Sequence, residues 1–265
     1  MKVALVYDRV NKFGGAERVL LALHEIWPDA PLYTAVFDTA GAPWARVFDV
    51  RPSFLQRLPG AKNHHELYPW LTPLAFESFS FDGYDVVLSV TSAEAKGILT
   101  KPGAMHICYC PTPTRYLWSG YETYAKTSWP LQLLAPTLRR WDCIASSRPD
   151  YYLAISEHVK ERIETYYGRE VKEVIYPPVE VEKYQVSHSA SSGQASIKYQ
   201  GEDYFLVVSR LVPYKRIDII VEAFNKLGWR LVIVGDGVER RKLQAMAQKN
   251  IKFITHYLPD DELAG

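Results

Sequence analysis

Short apolar runs alternate with amphipathic segments along this chain, and this order constrains the fold more than any other sequence feature. Val3–Tyr7 has the pattern of a buried strand, residues 8–15 form a short loop that ends in two glycines, and residues 16–27 carry apolar side chains at helical spacing before Pro28. A strand, a glycine-containing loop and a helix are the opening unit of a doubly wound α/β domain. The N-terminal part is therefore predicted to fold around a parallel sheet.

The same pattern continues toward residue 176. Strands are predicted over residues 31–37, 45–50, 84–90, 104–110, 151–155 and 172–176, and helices over residues 132–144 and 157–167. Ser156 is placed to cap the second of these helices, and Gly168 is placed to end it. An N-terminal Rossmann-like domain is accordingly predicted to span residues 1–186.

Residues 187–202 are rich in Ser, Gly, Gln and Ala, and we predict a linker or a long loop there. The pattern then restarts, with strands over residues 204–209, 230–234 and 251–257 and helices over residues 217–227 and 239–248. Residues 203–265 therefore read as the first part of a second Rossmann-like domain. Because these elements make only half of such a domain, we expect the chain to be truncated relative to a longer protein.

Residues 52–81 have a different character, because large apolar side chains crowd among prolines. The apolar residues at the end of this stretch are Leu67, Tyr68, Trp70, Leu71, Leu74, Phe76, Phe79 and Phe81. We interpret them as irregular or helical packing over the core; the alternative is an amphipathic surface that touches a membrane or a lipid-linked acceptor. His64 and His65 are weak metal candidates, since adjacent side chains point apart.

Charge and cysteine content narrow the possible partners. Lys and Arg number 31 against 30 for Asp and Glu, so no general attraction to nucleic acid or anionic membranes is expected. Any recognition of a phosphate group must then come from a few individually positioned residues and not from the overall charge. The 3 cysteines are too few for a disulfide scaffold, which favours a reducing cytoplasm. Cys108 and Cys110 lie on one predicted strand face, and we interpret them as small buried thiols.

Two loops between a predicted strand and a predicted helix have the composition of anion-binding loops. Gly14 and Gly15 allow a ligand to approach the backbone and leave helical N–H groups free, although glycine pairs also serve simple turns. The second loop carries Arg210, Lys215 and Arg216. An Arg fork and a Lys point charge match a diphosphate, while a solvated basic turn is the alternative.

Other chemistries are disfavoured by missing motifs. Val234-Gly235-Asp236-Gly237 begins like a dinucleotide fingerprint, but Arg240 stands where the third glycine belongs, which disfavours an NAD-dependent dehydrogenase. A phosphate-binding loop ending in Gly-Lys-Ser/Thr is missing, which disfavours an ATPase. The sequence lacks Asp-x-Asp and His-Glu-x-x-His, so no metal site is predicted, and it lacks the Gly-x-Ser-x-Gly motif of serine hydrolases.

Together these motifs resemble the retaining nucleotide-sugar glycosyltransferases of family four, also described as glycosyl transferases group 1. The resemblance rests on residues 2–8 followed by residues 14–18, on Ser209-Arg210-Leu211 with Lys215, and on residues 234–237. Residues 106–118, which read His-Ile-Cys-Tyr-Cys-Pro-Thr-Pro-Thr-Arg-Tyr-Leu-Trp, resemble a branch that includes mannosyltransferases of polysaccharide synthesis. The resemblance covers nearly all of the 265 residues.

The resemblance implies a GT-B architecture, in which two Rossmann-like domains face each other across a cleft. It implies that Arg210 and Lys215 are catalytic residues, because they would bind the donor diphosphate and stabilise the negative charge that grows on it. The other implied residues are Gly14, Gly15, Ser209, Gly235 and Gly237 for the donor, and Arg115 and Tyr116 for the acceptor.

The implied reaction transfers a sugar, with mannose as the candidate, from a nucleotide-diphosphate sugar to a glycan or a lipid-linked acceptor with retention and without a metal or cofactor. The implied location is the cytoplasm, with peripheral contact at the inner face of the membrane and no nucleic acid partner. The alternative is a non-catalytic acceptor-binding module left by truncation, which Pro111 supports because many relatives carry His there. A sugar-nucleotide epimerase is disfavoured, since residues 11–15 lack a glycine fingerprint.

Overall fold

The computed structural model describes residues 1–62, 68–125, 129–179 and 204–255, without the side chains of Trp129 and Pro130. The chain forms two compact units, Met1–Pro178 and Val179–Gly265. The predicted boundary at residue 186 and the predicted linker, residues 187–202, lie outside the described residues, as do His64, His65 and Leu67.

The first unit is built on a seven-stranded sheet in which all neighbouring strands are parallel. The strand order is β3-β2-β1-β4-β5-β6-β7, so the order reverses between β1 and β4. In doubly wound sheets, ligands bind outside the carboxyl ends of the strands at such a reversal. The strands are β1 (Val3–Tyr7), β2 (Leu32–Thr34), β3 (Val50–Pro52), β4 (Val86–Val90), β5 (Met105–Cys110), β6 (Tyr151–Ala154) and β7 (Val171–Val174).

Helices cover this sheet and close its core. They are α1 (Gly15–Ile26), α2 (Leu71–Glu77), α3 (Tyr121–Ala125), α4 (Trp129–Ser146) and α5 (Glu157–Tyr167). The helix predicted over residues 157–167 is confirmed with its termini, because the Ser156 hydroxyl accepts a hydrogen bond from the Val159 N–H at 3.3 Å and Gly168 takes the left-handed conformation at φ 62°.

One predicted strand is wrong. Residues 45–50 do not form a strand, because Pro43–Val47 is a 3₁₀ helix and β3 begins only at Val50. Pro43 sits at the start of the 3₁₀ helix, where its fixed φ and missing N–H suit a helical turn. The strand predicted over residues 31–37 is also shorter than expected, since β2 ends at Thr34.

The second unit repeats the strand–helix order on a smaller scale. Its strands β8 (Phe205–Val208), β9 (Leu231–Val234) and β10 (Ile251–Ile254) form a parallel sheet in the order β10-β9-β8. The helices α6 (Ile217–Leu227) and α7 (Arg240–Met246) pack through Val221 and Leu243 against Leu231 and Ile233. The order and type of the predicted elements are therefore confirmed in this unit.

The apolar stretch before residue 82 divides into buried and exposed side chains. Phe76 and Phe81 are buried in the core of the first unit, whereas Trp70 and Leu74 are 54% and 52% exposed. Tyr68 and Phe79 are partly buried against the same core, so packing over the core is confirmed for these four aromatic residues but not for Trp70. Among the residues that the structure describes, no helix combines the length and the apolar character needed to cross a membrane.

The cysteines of β5 are confirmed as buried thiols. Cys108 and Cys110 are buried side by side, and all three cysteines are free. Burial raises the pKa of the Cys110 thiol well above its ordinary value, so this thiol stays protonated and unreactive.

His106 is a fully buried histidine at the start of β5. Its Nε2 lies 2.9 Å from the Ser89 hydroxyl, and its backbone N–H donates to the Asp150 carboxylate at 2.7 Å. Burial lowers the pKa of His106 to about 3. The folded protein therefore holds this imidazole neutral at pH values where the unfolded chain protonates it.

We expect the stability that depends on His106 to be complete above pH ~6.5 and to be lost as the pH falls toward 3, because only the unfolded state binds the proton in that range. At pH 4 the loss is about 3 kcal/mol. Urea unfolding of the parent and of His106→Gln at pH 7 and pH 4 measures it, since Gln can keep the bond to Ser89 but does not titrate. An identical loss in both proteins would contradict this assignment.

Candidate functional site

A buried carboxylate joins the two strands at the reversal point of the first sheet. Asp8 follows β1 directly and is 5% exposed. It accepts hydrogen bonds from the Thr91 hydroxyl at 2.7 Å, the Ser92 N–H at 2.8 Å and the Ala95 N–H at 3.0 Å, all in the segment after β4. These three bonds fix the backbone of that segment at the sheet edge where doubly wound folds bind their ligands.

A second carboxylate at the same edge of the sheet links the β1 and β5 loops. Glu94 pairs with the Arg9 guanidinium at 2.7 Å and accepts a short hydrogen bond from the Tyr116 hydroxyl. Burial, followed by the charge of Glu94, raises the pKa of Tyr116 well above its ordinary value. Tyr116, the predicted acceptor contact, therefore uses its hydroxyl within the protein and has only its ring left for a ligand.

Arg115, the other predicted acceptor residue, is half-buried beside a tight turn. The Gly120 N–H donates to the Arg115 carbonyl at 2.9 Å, and a methyl group at Gly120 would lie 2.9 Å from the Arg115 Cγ. The turn thus holds the stem of the Arg115 side chain.

The glycine turn before α1 encloses another buried acid. Glu17 is 3% exposed in the first turn of α1 and accepts a hydrogen bond from the Tyr7 hydroxyl at 2.6 Å. A methyl group at Gly14 would lie 3.1 Å from the Glu17 carboxylate, whereas one at Gly15 would meet nothing within 4 Å. Gly14 therefore makes room for Glu17, and Gly15 keeps the outer side of the turn open.

Two glycines hold the basic loop of the second unit against its neighbour. The Ser209 N–H donates to the carbonyl of Val234, the last residue of β9, at 3.0 Å, and the Leu211 N–H donates to the Asp236 carbonyl in the following loop at 2.9 Å. A methyl group would lie 2.0 Å from the Ser209 oxygen if placed at Gly235, and 2.2 Å from the Leu211 oxygen if placed at Gly237. Both glycines are thus required for the close approach of the two loops, independently of any ligand.

The basic residues of this loop differ in their pairing. Arg216 forms an ion pair with Asp218 at 3.0 Å. Arg210 and Lys215 are exposed, and neither has a carboxylate partner within the described ranges. The structure thus brings Ser209, Arg210, Gly235 and Gly237 into two touching loops, and Lys215 ends the 3₁₀ turn just before α6.

An open groove of about 550 Å³ lies beside these loops in the second unit. Its lining residues are Asp236, Gly237, Val238, Arg240 and Arg241. Arg240 occupies the position of the third glycine in a dinucleotide fingerprint. Its guanidinium pairs with the Asp236 carboxylate at 3.3 Å, so it is not a free cation.

Sequence reasoning missed the buried charged residues of the first unit. The available signal was the position of these residues in loops after two neighbouring buried strands: Asp8 directly follows β1, and Glu94 and Lys96 lie in the segment after β4. In isolation each of them reads as an ordinary loop residue. In the part of the chain that the structure describes, no group of three or more metal-ligating side chains is found.

Residues 191–263 match the family model described as glycosyl transferases group 1, and this range contains Ser209, Arg210, Lys215, Gly235 and Gly237. No curated protein matches the chain.

Solved structures resemble the chain over almost its whole length. The apo form of the lipopolysaccharide outer core galactosyltransferase WaaB is 19% identical with a TM-score of 0.51, and the match covers 97% of this chain and 68% of that one. The Anabaena protein Alr3699/HepE in complex with UDP is 18% identical with a TM-score of 0.63, covering 99% of this chain and 71% of that one. The predicted α/β fold of the GT-B type is therefore confirmed.

We expect Gly237→Ala to destabilise the second unit by about 1–3 kcal/mol, because the added methyl group would overlap the Leu211 carbonyl and push the two loops apart. Urea unfolding measures this loss, and Lys226→Ala at the far end of α6 is the control. Equal stability of the two variants would show that the loops do not need this close contact.

Proposed function

We propose that the chain belongs to a glycosyltransferase that moves a sugar from a nucleotide-diphosphate sugar to a glycan or a lipid-linked acceptor. The observation that carries the proposal is a pair of exposed cations: Arg210, which lies between the two residues that Gly235 and Gly237 contact, and Lys215, at the end of the 3₁₀ turn that follows. The match of residues 191–263 to the glycosyl transferases group 1 family supports it. The UDP in the structure of Alr3699/HepE supports a nucleotide ligand for this fold.

The proposed roles follow from the chemistry of the two cations. The Arg210 guanidinium can donate two parallel hydrogen bonds to phosphate oxygens, and the Lys215 ammonium adds a point charge. When the bond between sugar and diphosphate breaks, negative charge grows on the diphosphate, and one well-placed donor is worth about 3–4 kcal/mol there. The proposed reaction therefore needs no resident metal or cofactor for the leaving group.

The finer parts of the proposal rest on the sequence resemblance. We assign transfer with retention from the motifs shared with the family, and mannose as the candidate sugar with a product in polysaccharide or cell-envelope synthesis from residues 106–118. Gly14 and Gly15 are assigned to the donor, and Arg115 and Tyr116 to the acceptor. A cytoplasmic location agrees with the free cysteines. The exposed Trp70 and Leu74 support peripheral contact with a membrane that carries a lipid-linked acceptor.

We expect Lys215→Ala to weaken the binding of UDP or GDP about 10- to 100-fold, because one charge-assisted hydrogen bond to a diphosphate is lost. Titration calorimetry with both nucleotides measures the change, and Arg210→Ala should behave in the same way. Lys226→Ala removes the same charge from the last turn of α6 and should bind like the parent. Equal affinities of Lys215→Ala and Lys226→Ala would contradict the diphosphate role and favour a module without donor chemistry.

A substitution at Gly15 separates an effect on the stability of the protein from an effect on its contact with the donor. We expect Gly15→Ala to keep or raise the stability of α1, by up to about 0.5–1 kcal/mol, because its methyl group meets no protein atom within 4 Å. If the open side of the turn contacts the donor, sugar transfer slows about 10-fold or more. Melting temperature and transfer rate are measured together. An unchanged rate would remove Gly15 from the donor site.

A further inference from the structure

An ion pair that is almost inaccessible to solvent lies beneath the segment that follows β5. Lys96 is 2% exposed, the Asp142 side chain of α4 is fully buried, and their charged atoms are 2.6 Å apart. The Lys96 ammonium also donates to the Ala93 carbonyl at 2.6 Å and to the Thr114 hydroxyl at 3.0 Å. All three of its N–H bonds therefore have a partner.

The Asp142 carboxylate is equally well supplied with donors. Its Oδ1 also accepts from the Thr114 hydroxyl at 2.7 Å, and its Oδ2 accepts from the Trp118 indole N–H at 2.7 Å. Burial alone would lower the pKa of Lys96, but the adjacent Asp142 carboxylate outweighs it and raises that pKa, so the pair stays ionised. The charged groups of Lys96 and Asp142 are engaged within the protein, so we assign them neither a ligand nor a chemical step.

Stability alone gives a poor reason for this pair. Two charges lose their hydration on burial, and apolar side chains of similar size at such a site often give an equally stable or more stable protein. A buried pair does fix geometry, since each partner must stay where its hydrogen bonds are satisfied.

The bonds of the pair converge on the segment that carries the predicted acceptor residues. Thr114 and Trp118 flank Arg115 and Tyr116 in the sequence. The side chains of Thr114 and Trp118 each donate a hydrogen bond to the Asp142 carboxylate. The same segment is tied to α5 through the Tyr167 hydroxyl, which accepts from the Thr114 N–H at 3.0 Å. Residues 112–118 thus rest on the buried pair at two points.

We propose that Lys96 and Asp142 are positioning residues, which hold residues 112–118 at the carboxyl edge of the first sheet in the geometry that the acceptor requires. The assignment of an acceptor to this segment rests on the proposed function. The holding of the segment itself rests only on the hydrogen bonds described above.

The test replaces the pair by apolar residues, as Lys96→Met with Asp142→Leu. Hydrogen–deuterium exchange of the peptide covering residues 112–118 is expected to accelerate about 10-fold or more, while the strands keep their protection. Each single variant should melt lower than the double variant, because it leaves one buried charge unpaired. Exchange that matches the parent in residues 112–118 would overturn the proposal.

Functional readouts separate positioning from simple packing. With GDP-mannose as donor and octyl β-glucoside as acceptor, the apparent KM for the acceptor should rise about 10-fold, while hydrolysis of GDP-mannose without acceptor stays within about twofold. An unchanged acceptor KM overturns the positioning role. If the parent transfers no sugar and binds neither UDP nor GDP, the proposed function fails, and the exchange data still decide whether the pair holds the segment.

Two further double variants serve as a control for the loss of an ion pair and as an alternative if the first double variant does not fold. Lys101→Met with Asp82→Leu removes an ion pair of the same residue types from the surface and should leave exchange in residues 112–118 unchanged. If the double variant of the buried pair does not fold, Thr114→Val with Trp118→Phe breaks the links to the segment and leaves both charges in place. Parent-like exchange in that variant also overturns the proposal.

Discussion

The Asp8 carboxylate is the constraint on which the carboxyl edge of the first sheet depends. It is buried at the point where the strand order reverses, and it is satisfied only because the segment after β4 turns its N–H groups and the Thr91 hydroxyl inward. An unpaired carboxylate at this depth would be costly, so the segment cannot leave without exposing or protonating the acid. Glu94 and Lys96, which the same segment carries, are thereby fixed in direction as well.

The two units handle charge in opposite ways. In the first unit, two ion pairs lie wholly or partly out of solvent, Lys96 with Asp142 and the half-buried Arg9 with Glu94, and both tie the segment after β4 to another part of the unit. In the second unit, Arg210 and Lys215 are exposed on a backbone that is locked by close contacts at two glycines. Under the function proposed above, the pairs of the first unit would position the acceptor segment, and the exposed Arg210 and Lys215 would bind the diphosphate.

The secondary structure could largely be read from the sequence because its cues are local. The helix Glu157–Tyr167 was predictable to the residue, since Ser156 and Gly168 act through bonds within one turn of it. The wrong strand over residues 45–50 shows the limit, because an alternating apolar pattern also fits a 3₁₀ turn and only pairing with β2 decides where β3 begins. The candidate donor loop was found from its cations, but the structural need for Gly235 and Gly237 was not visible.

Local sequence is enough to predict the alternation of strands and helices, the division into two Rossmann-like patterns and the basic loop after β8, because periodicity, caps and charge depend on neighbouring residues. The pairing of Asp8 with Thr91, and of Lys96 with Asp142 46 positions further along the chain, follows from the packed fold. Those partners come from different elements, and the buried surroundings that make their pairing obligatory exist only after the sheet and helices have packed.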